Sequence, residues 1–562
     1  MKKFFERITS KRFFWLLLLI LIALPTFWRL LVPGYFSMHD DLQIGRLYQM
    51  DLCFADRQLP CRWVPDMGYG YGYPLFNYYP PFPYYLAEVF HLLGLSYINS
   101  IKTLFILGFL FSGFFAYLLG KELWGKYGGL VTAAFYLYAP YHAVDVYVRG
   151  ALNEFWGLVF FPAVFWAVYK IIKEQKNIFV FYLALFLSLL LLSHNLMAFF
   201  LLPFLAAWAL FLIWFLKKKI KIIWPLIWGG LWGLCLSAFF TLPVLLERNL
   251  VHVETMFIGY FNYLAHFATV KQLFFSLFWG FGASLWGPDD GMPFPVGQLH
   301  WGFGLLALLV FAWLWLKQKR KELALVLTFF VFFLGSAFLT HQRSIFIWRF
   351  FPLLASMQFP WRFLALASFF VSVLAGSFFL LLKNQKKSFY LALVMILAVL
   401  FFNLSFFKPE RILKITDEEK LFSAKGWNKL QTDAIFDYLP IVSPQPPGQP
   451  APEKPWLVEG QGEVVEFQKG TDWQKFKLQV SSEKAMVRLP LYDFPQWQVK
   501  ANKKIVETNH ENELGLITFT LPQGDYQIEA SLKNTPLRNM ANVISFITWA
   551  GTLFWLTKKR KT

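Results

Sequence analysis

The feature that most constrains this chain is a succession of apolar stretches, each long enough to cross a bilayer, separated alternately by basic turns and by lysine-poor loops. A helix rises about 1.5 Å per residue, so roughly 20 apolar residues cover a hydrocarbon layer of about 30 Å. Windows of that length pick out segments near 13–32, 100–120, 127–142, 153–172, 177–193, 195–216, 222–246, 299–316, 322–340, 361–383, 388–406 and 541–557, about twelve spans in all. If the first span leaves the cytoplasm, the inner connections are MKKFFERITSKR, the Lys121 to Lys126 turn, KIIKEQKN, KKKIK, KQKRK, KNQKK and the tail TKKRK. Every one is basic, so the positive-inside bias puts both termini in the cytoplasm.

A soluble domain of this length does not carry 57% hydrophobic and 20% aromatic residues. The net charge of +19 would suggest nucleic acid in a soluble protein, but here it lies mostly in short turns that meet anionic headgroups. Membrane lipids are therefore expected partners and nucleic acid is not. The first apolar stretch is too long for a cleaved signal and offers no small-residue cleavage site through Leu21 to Val32, so it is expected to stay as an anchor. Of the three cysteines none stands in a CxxC pattern; Cys235 falls inside a span, and Cys53 and Cys61 share an outer loop, where a disulfide between them is a candidate.

Four outer regions stand out. The first loop, 33–99, is too long for a simple connection. Leu42, Leu47, Met50 and Phe54 recur at helical spacing in it, which predicts a helix along the outer surface that Pro60 ends or follows. From Gly68 to Pro83 glycine, tyrosine and proline alternate, which predicts a tight non-helical backbone, and a second interfacial helix is expected near Pro83. The second region is YAPYHAVDVYVRGALNE, and the third is a long loop over 247–298. After the ninth span, THQRSIFIWRFFPLLASMQFPWRF contains an apolar stretch too short to cross, expected to be re-entrant or interfacial and to bring Arg349 and Arg362 to the outer face.

Composition divides the chain into a transmembrane part over 1–407, an extracytoplasmic part over 408–540, and a final span with a basic tail over 541–562. The middle part has a proline-rich spacer over 440–455. Beyond it VVEF, FKLQV, AMVRLPLY, WQVKA, ITFTL and YQIEASL alternate with a period of two between turns, predicting a small antiparallel β-sandwich over about 456–535.

His39, Asp40 and Asp41 form the sharpest acidic cluster of the membrane part. Aspartates there either cap the following helix or serve as a base that deprotonates an acceptor hydroxyl at the lipid boundary. Arg149, Arg248, Arg343, Arg349 and Arg362 are the guanidiniums expected near the outer ends of spans. Each either snorkels to native headgroups or grips a lipid-borne phosphate with paired donors. Asp145 and Glu154 either pair with Arg149 structurally or belong to the site. His194 and Asn195 sit at a turn between two spans, where a hydrogen-bonded structural role competes with a site role. Tyr71, Tyr73, Asn77 and Tyr78 belong either to an interfacial aromatic belt or to a substrate pocket that stacks a sugar. No P-loop, GxSxG, HExxH or dinucleotide fingerprint appears in a fitting context.

The runs HDD at 39–41, RWVPDMGYGYGYPLFNYYPPFPYYL at 62–86, RGALNEF at 149–155, SHN at 193–195 and QFPWRF at 358–363 resemble the bacterial membrane family labelled 6-pyruvoyl-tetrahydropterin synthase-related. Nothing in the chain resembles the zinc-binding histidine cluster of the soluble pterin synthase, so pterin chemistry is not expected. That family in turn is similar to the GT-C membrane glycosyltransferases. The resemblance implies a catalytic first-loop carboxylate, matching Asp40 or Asp41, and a second acidic position, matching Asp145 or Glu154. It implies a polyprenyl-phosphate sugar as donor, with Arg149, Arg362, Arg248 and Arg349 as candidates for its phosphate, and an extracytoplasmic glycan, polymer, lipid or protein as acceptor. A phosphomonoester leaving group needs no metal; a pyrophosphate donor would favour Mg²⁺ or Mn²⁺ on Asp40, Asp41 and Glu154. The expected location is the bacterial cytoplasmic membrane. A lipid or polysaccharide transporter and a non-catalytic envelope scaffold are the alternatives weighed against transfer.

Overall fold

In lipid every backbone N–H and C=O must be satisfied within the chain, and a helix does this locally. Each of the twelve expected apolar segments is accordingly helical in the computed structural model, which describes residues 12–286, 289–319 and 321–561. Eight helices among these residues are long and apolar enough to cross a membrane. The 41-residue stretch Tyr97–Leu137 carries two of the expected spans, because Gly125 takes φ 81° and ψ 177° and breaks the helix inside the basic turn. That left-handed φ is open to glycine and strained for other residues. The helices Asn177–Ser193 and Leu323–Leu339 have 17 residues each, about 26 Å of rise. The segment expected over 222–246 divides at Ser237 into Ile223–Leu236 and Ala238–Leu246. The basic N-terminal stretch assigned to the cytoplasm falls on residues 1–11, outside the described residues, as does Arg320 of KQKRK.

The chain forms two compact units. The first comprises 1–41, 98–234 and 259–415, and the second 42–97, 235–258 and 416–562. In the first, the strand β1 (Tyr35–Phe36) pairs antiparallel with β2 (Ile412–Leu413). This pairing and the Lys102 ammonium, which donates to the carbonyls of Val32 at 2.6 Å and Gly34 at 3.0 Å, fix the exit of the first span.

In the second unit, the expected loop helices are Gln43–Ala55 and Phe82–Leu92. Between them the expected non-helical stretch contains one short helix, Leu75–Tyr78. Cys53 and Cys61 are joined by a disulfide. The predicted strands belong to an antiparallel sheet of six, in which β3 and β7 were not foreseen: β3 (Trp456–Glu459), β4 (Gly462–Lys469), β5 (Trp473–Tyr492), β6 (Trp497–Ala501), β7 (Lys504–Val506) and β8 (Leu516–Leu532). Two pairs of expected strands are fused, FKLQV with AMVRLPLY in β5 and ITFTL with YQIEASL in β8, and these two long strands pair along the centre of the sheet. Both β3 and β4 pair with β5, at opposite ends of it. The alternation that marked the strands is seen as Gln474, Phe476, Leu478 and Val480 turned inward from β5 between exposed lysines and glutamine. The core they join includes Trp63, Tyr71 and Tyr78 of the long loop.

Candidate functional site

The segment YAPYHAVDVYVRGALNE builds most of a buried ion cluster in the first unit. Pro140 opens a short helix, Pro140–Ala143, that continues into a π-turn over Val144–Arg149. Single π-turns of this kind recur at functional sites. Gly150 ends the turn at φ 63°, and a Cβ placed there would collide with the Met38 side chain. The helix Leu152–Glu174 then starts with Glu154 in its first turn, where the helix dipole favours a carboxylate.

Arg149 lies between the two acids. Its Nη1 pairs with Asp145 Oδ1, its Nη2 stands 2.9 Å from Glu154 Oε2, and its guanidinium lies 4.6 Å over the Trp361 ring. Arg362 reaches the same Glu154 oxygen with Nε at 3.2 Å, from a 3₁₀ turn over Pro360–Phe363. The Tyr141 hydroxyl donates to Glu154 Oε1 at 2.6 Å. Arg362 Nη1 donates to Met357 O at 2.8 Å and to Gln358 Oε1 at 3.1 Å. Gln358 adopts φ 61°, a left-handed conformation that non-glycine residues rarely take without a local purpose.

Asp145 is fully buried and Glu154 nearly so, and two carboxylates face two guanidiniums, so the cluster is charge-balanced. Burial first, and then the neighbouring Glu154 charge, push the Asp145 carboxyl above its usual range. Its Oδ2 is buried without a hydrogen-bond partner. Among the described residues Arg362 Nη2 has no hydrogen-bond partner.

The acidic pair of the first loop is tied to this cluster through the main chain. His39 N–H donates to Val148 O at 3.1 Å and Asp40 N–H to Arg149 O at 2.9 Å, taking up carbonyls at the end of the π-turn. Asp40 and Asp41 are both half-buried. Their charges act on the Tyr35 phenol, whose pKa is pushed up first by burial and then by Asp41 and Asp40. The His39 ring bonds the Phe281 carbonyl at 2.9 Å.

Of the other predicted residues, His194 lies within electrostatic reach of Glu154, Arg362 and Arg149. His194 Nδ1 accepts from Met197 N–H at 3.2 Å and so caps the helix Asn195–Phe215, while Asn195 Oδ1 accepts from Leu196 N–H at 3.0 Å. Arg349 is exposed on the short helix Ile345–Phe350, and neither it nor Arg343 is ion-paired to the cluster. Arg248 is exposed in a 3₁₀ turn of the second unit. Arg362 is largely buried, held inward by Glu154 and the Met357 and Gln358 oxygens.

The aromatic-belt expectation is corrected. Tyr73 and Asn77 are fully buried and Tyr71 and Tyr78 nearly so. Tyr73 donates to Ala434 O at 2.6 Å, Tyr78 to Glu247 O at 2.9 Å, and Asn77 Oδ1 accepts from Arg62 at 2.9 Å. The sheet core claims Tyr71 and Tyr78, while Tyr73 is held by the segment before the sheet and Asn77 by Arg62. Among the described residues no three His, Cys, Asp or Glu side chains gather as metal ligands. The expected set of Asp40, Asp41 and Glu154 is thus not assembled, because two arginines already engage Glu154. Sequence reasoning missed Tyr141, Gln358 and Trp361. Tyr141 lay one helical turn before Asp145, and Gln358 and Trp361 lay within the QFPWRF run that flanks Arg362.

Fold and site together define a polytopic helical membrane protein with a C-terminal antiparallel sheet and a buried ion cluster. The chain belongs to the 6-pyruvoyl-tetrahydropterin synthase-related family of membrane proteins, whose profile matches residues 76–408. An uncharacterized protein of Lactococcus lactis subsp. cremoris (strain MG1363) is 27% identical over 242 residues, which cover 41% of this chain and 39% of that protein. Among solved structures, the arabinofuranosyltransferase AftD from Mycobacteria is similar with a TM-score of 0.46 and 14% identity, over 72% of this chain and 28% of that one. ArnT from Cupriavidus metallidurans, solved bound to undecaprenyl phosphate, has a TM-score of 0.41 and 14% identity over 69% of this chain and 64% of its own. The oligosaccharyltransferase of Archaeoglobus fulgidus has a TM-score of 0.42 and 12% identity over 78% of this chain and 60% of its own. The chain therefore spans less than two thirds of each of these proteins, and likenesses this distant assign no residue roles.

Proposed function

We propose that this protein is an integral membrane glycosyltransferase that moves a sugar from a polyprenyl-phosphate donor to an extracytoplasmic acceptor. The observation that carries the proposal is the bond from Asp40 N–H to Arg149 O, which joins the first-loop acids to the buried cluster of Asp145, Arg149, Glu154 and Arg362. In the proposed step Asp40 or Asp41 takes the proton from an acceptor hydroxyl, and that oxygen forms a bond to the anomeric carbon. The bond from the anomeric carbon to the phosphate oxygen breaks, and polyprenyl phosphate departs with the electron pair. Arg362, through its unbonded Nη2, steadies the departing charge. Asp145, Glu154, Tyr141 and Gln358 hold the two guanidiniums in place. The protein is proposed to sit in the bacterial cytoplasmic membrane with both termini cytoplasmic and the β-domain outside, as the basic turns suggest.

The test compares envelope glycans by mass spectrometry between cells carrying the wild-type chain and cells carrying Asp40→Asn with Asp41→Asn at matched membrane abundance. Loss of a defined sugar in the variant is the expected result. An unchanged profile in the variant, alongside a changed one in a deletion strain, would sink the catalytic role of the pair.

A further inference from the structure

The apolar helix Leu323–Leu339 bears an exposed stripe, Leu327, Val331, Leu334 and Phe338, at helical spacing. On a helix that crosses a membrane, such a stripe meets lipid. Its 17 residues rise about 26 Å, which leaves roughly 4 Å of a hydrocarbon layer of about 30 Å uncovered. The short helix Ile345–Phe350 folds back onto the end of this stripe. The Trp348 indole donates to Leu339 O at 3.2 Å, and the Ser344 hydroxyl reaches Leu339 O at 3.3 Å and His341 O at 2.8 Å. These bonds take up carbonyls that a helix end leaves open.

Trp348 decides which way the short helix faces. Its side chain is buried, stacked 5.1 Å from the Tyr263 ring and edge-on to Phe363 at 5.9 Å. Phe346, Arg349 and Phe350, spaced by three and four, share an outward face, and Phe351 beyond them is exposed too. Phe346 and Phe350 are 65% and 76% exposed, and a contiguous apolar patch of this kind marks a surface with a partner.

Continuity identifies that partner. The Phe346 ring stands 6.4 Å from that of Phe338, the last member of the stripe, so the apolar surface of the span runs on into the short helix. It adds apolar height where the span is short. A single cation among the phenylalanines suits the boundary with the headgroups, since an arginine stem packs on apolar surface while its guanidinium reaches a phosphate.

We propose that the segment over 345–353 is a lipid-binding seat in the bilayer interface, with phospholipid acyl chains against Phe346, Phe350 and Phe351 and a headgroup phosphate held by Arg349. This assigns Arg349 to the surrounding phospholipid rather than to a sugar donor, and it stands if the transfer reaction is refuted. The 3₁₀ turn Pro352–Met357 ends in the carbonyl that accepts from Arg362 Nη1 at 2.8 Å, so the seat also sets how deep that guanidinium lies.

Cys53 and Cys61 are bridged and Cys235 is the remaining thiol, so Cys235→Ala gives a background for one introduced cysteine at a time. Phe346→Cys and Phe350→Cys carry a nitroxide in the full chain, in nanodiscs of phosphatidylglycerol and phosphatidylcholine. Val331→Cys on the stripe and Glu483→Cys on the exposed surface of the sheet are the references. Collision rates with oxygen, which concentrates in lipid, and with a water-soluble nickel chelate are measured by power-saturation EPR. The oxygen-to-nickel ratio at 346 and 350 is expected to approach that at 331 and to exceed that at 483 several-fold. Arg349→Glu, which sets a like charge against the phosphate, should lower the ratio at 350 about twofold. Thermal midpoints equal to wild type, expected for changes at exposed positions, verify that each labelled chain is folded. Ratios at both positions equal to that at 483 would place the face in water, and shielding from both reagents would place protein against it, a second copy included. Either result, or no response to Arg349→Glu, would overturn the proposal. No donor or acceptor enters the measurement, so failure of the seat and failure of the transfer reaction are read separately.

Discussion

Replacing Arg149 by methionine keeps most of the side-chain length and removes the charge that stands between Asp145 and Glu154. In the wild type Nη1 pairs with Asp145, Nη2 lies 2.9 Å from Glu154, and the guanidinium stacks 4.6 Å over Trp361. Glu154 keeps Arg362 at 3.2 Å in the variant, but buried Asp145 loses its ion-pair partner. Breaking a buried pair from one side costs about 3–5 kcal/mol, most of it the uncompensated charge. The lost cation–π contact falls within that range and should not be added to it. Adding Asp145→Asn removes the stranded charge, so the double variant should regain about 2 kcal/mol or more relative to Arg149→Met alone. The assay is equilibrium unfolding in mixed micelles of rising SDS fraction, with the two single variants and the double variant forming a cycle. A loss below about 1 kcal/mol for Arg149→Met, or additive effects in the cycle, would refute the assignment of Arg149 as the cluster's structural centre.

Arg362→Ala should weaken binding of polyprenyl phosphate about tenfold or more while membrane abundance falls less, as measured by lipid titration against the purified protein; unchanged affinity removes Arg362 from the phosphate site. Gly150→Ala should destabilise the protein by about 1 kcal/mol or more, through strain at φ 63° and collision with Met38, and a thermal midpoint equal to wild type would contradict this. Burial, and then the charge of Asp51, raise the Glu88 carboxyl from 4.5 to about 8. The folded state thus holds a proton that the unfolded chain releases. Stability from this group is complete below about pH 4.5, declines by about 1.4 kcal/mol per pH unit as the pH rises toward 8, and is level above. Glu88→Gln should flatten that segment of the stability profile, and an identical slope in the variant would show that another group sets it.

The spans were legible because hydrocarbon imposes a local rule: each segment must satisfy its own backbone, so length and apolarity mark it residue by residue. The basic turn holding Gly125 and the helix Asn177–Ser193 were read from that rule alone. The β-domain was legible for a similar reason, since a two-residue alternation needs no knowledge of its partner strands. Their fusion into β5 and β8 was not, because turn-like residues such as Ser481, Ser482 and Pro522 lie inside strands whose pairing continues past them through register shifts. The tyrosines between Gly68 and Pro83 were misplaced for another reason. An amphipathic ring suits a headgroup zone and a protein interior equally, and the sheet supplied the interior.

By itself the sequence determined that the chain is a multi-pass helical membrane protein with a small antiparallel domain, and that acids and arginines concentrate at a few loop motifs. Only the tertiary structure decided which of those charges meet. Glu154 and Arg362 are 208 residues apart, and Asp40 reaches Arg149 through a backbone bond that no side-chain pattern announces. Pairing of buried charges depends on which groups lose water together, and that is a property of packing in space rather than of spacing along the chain.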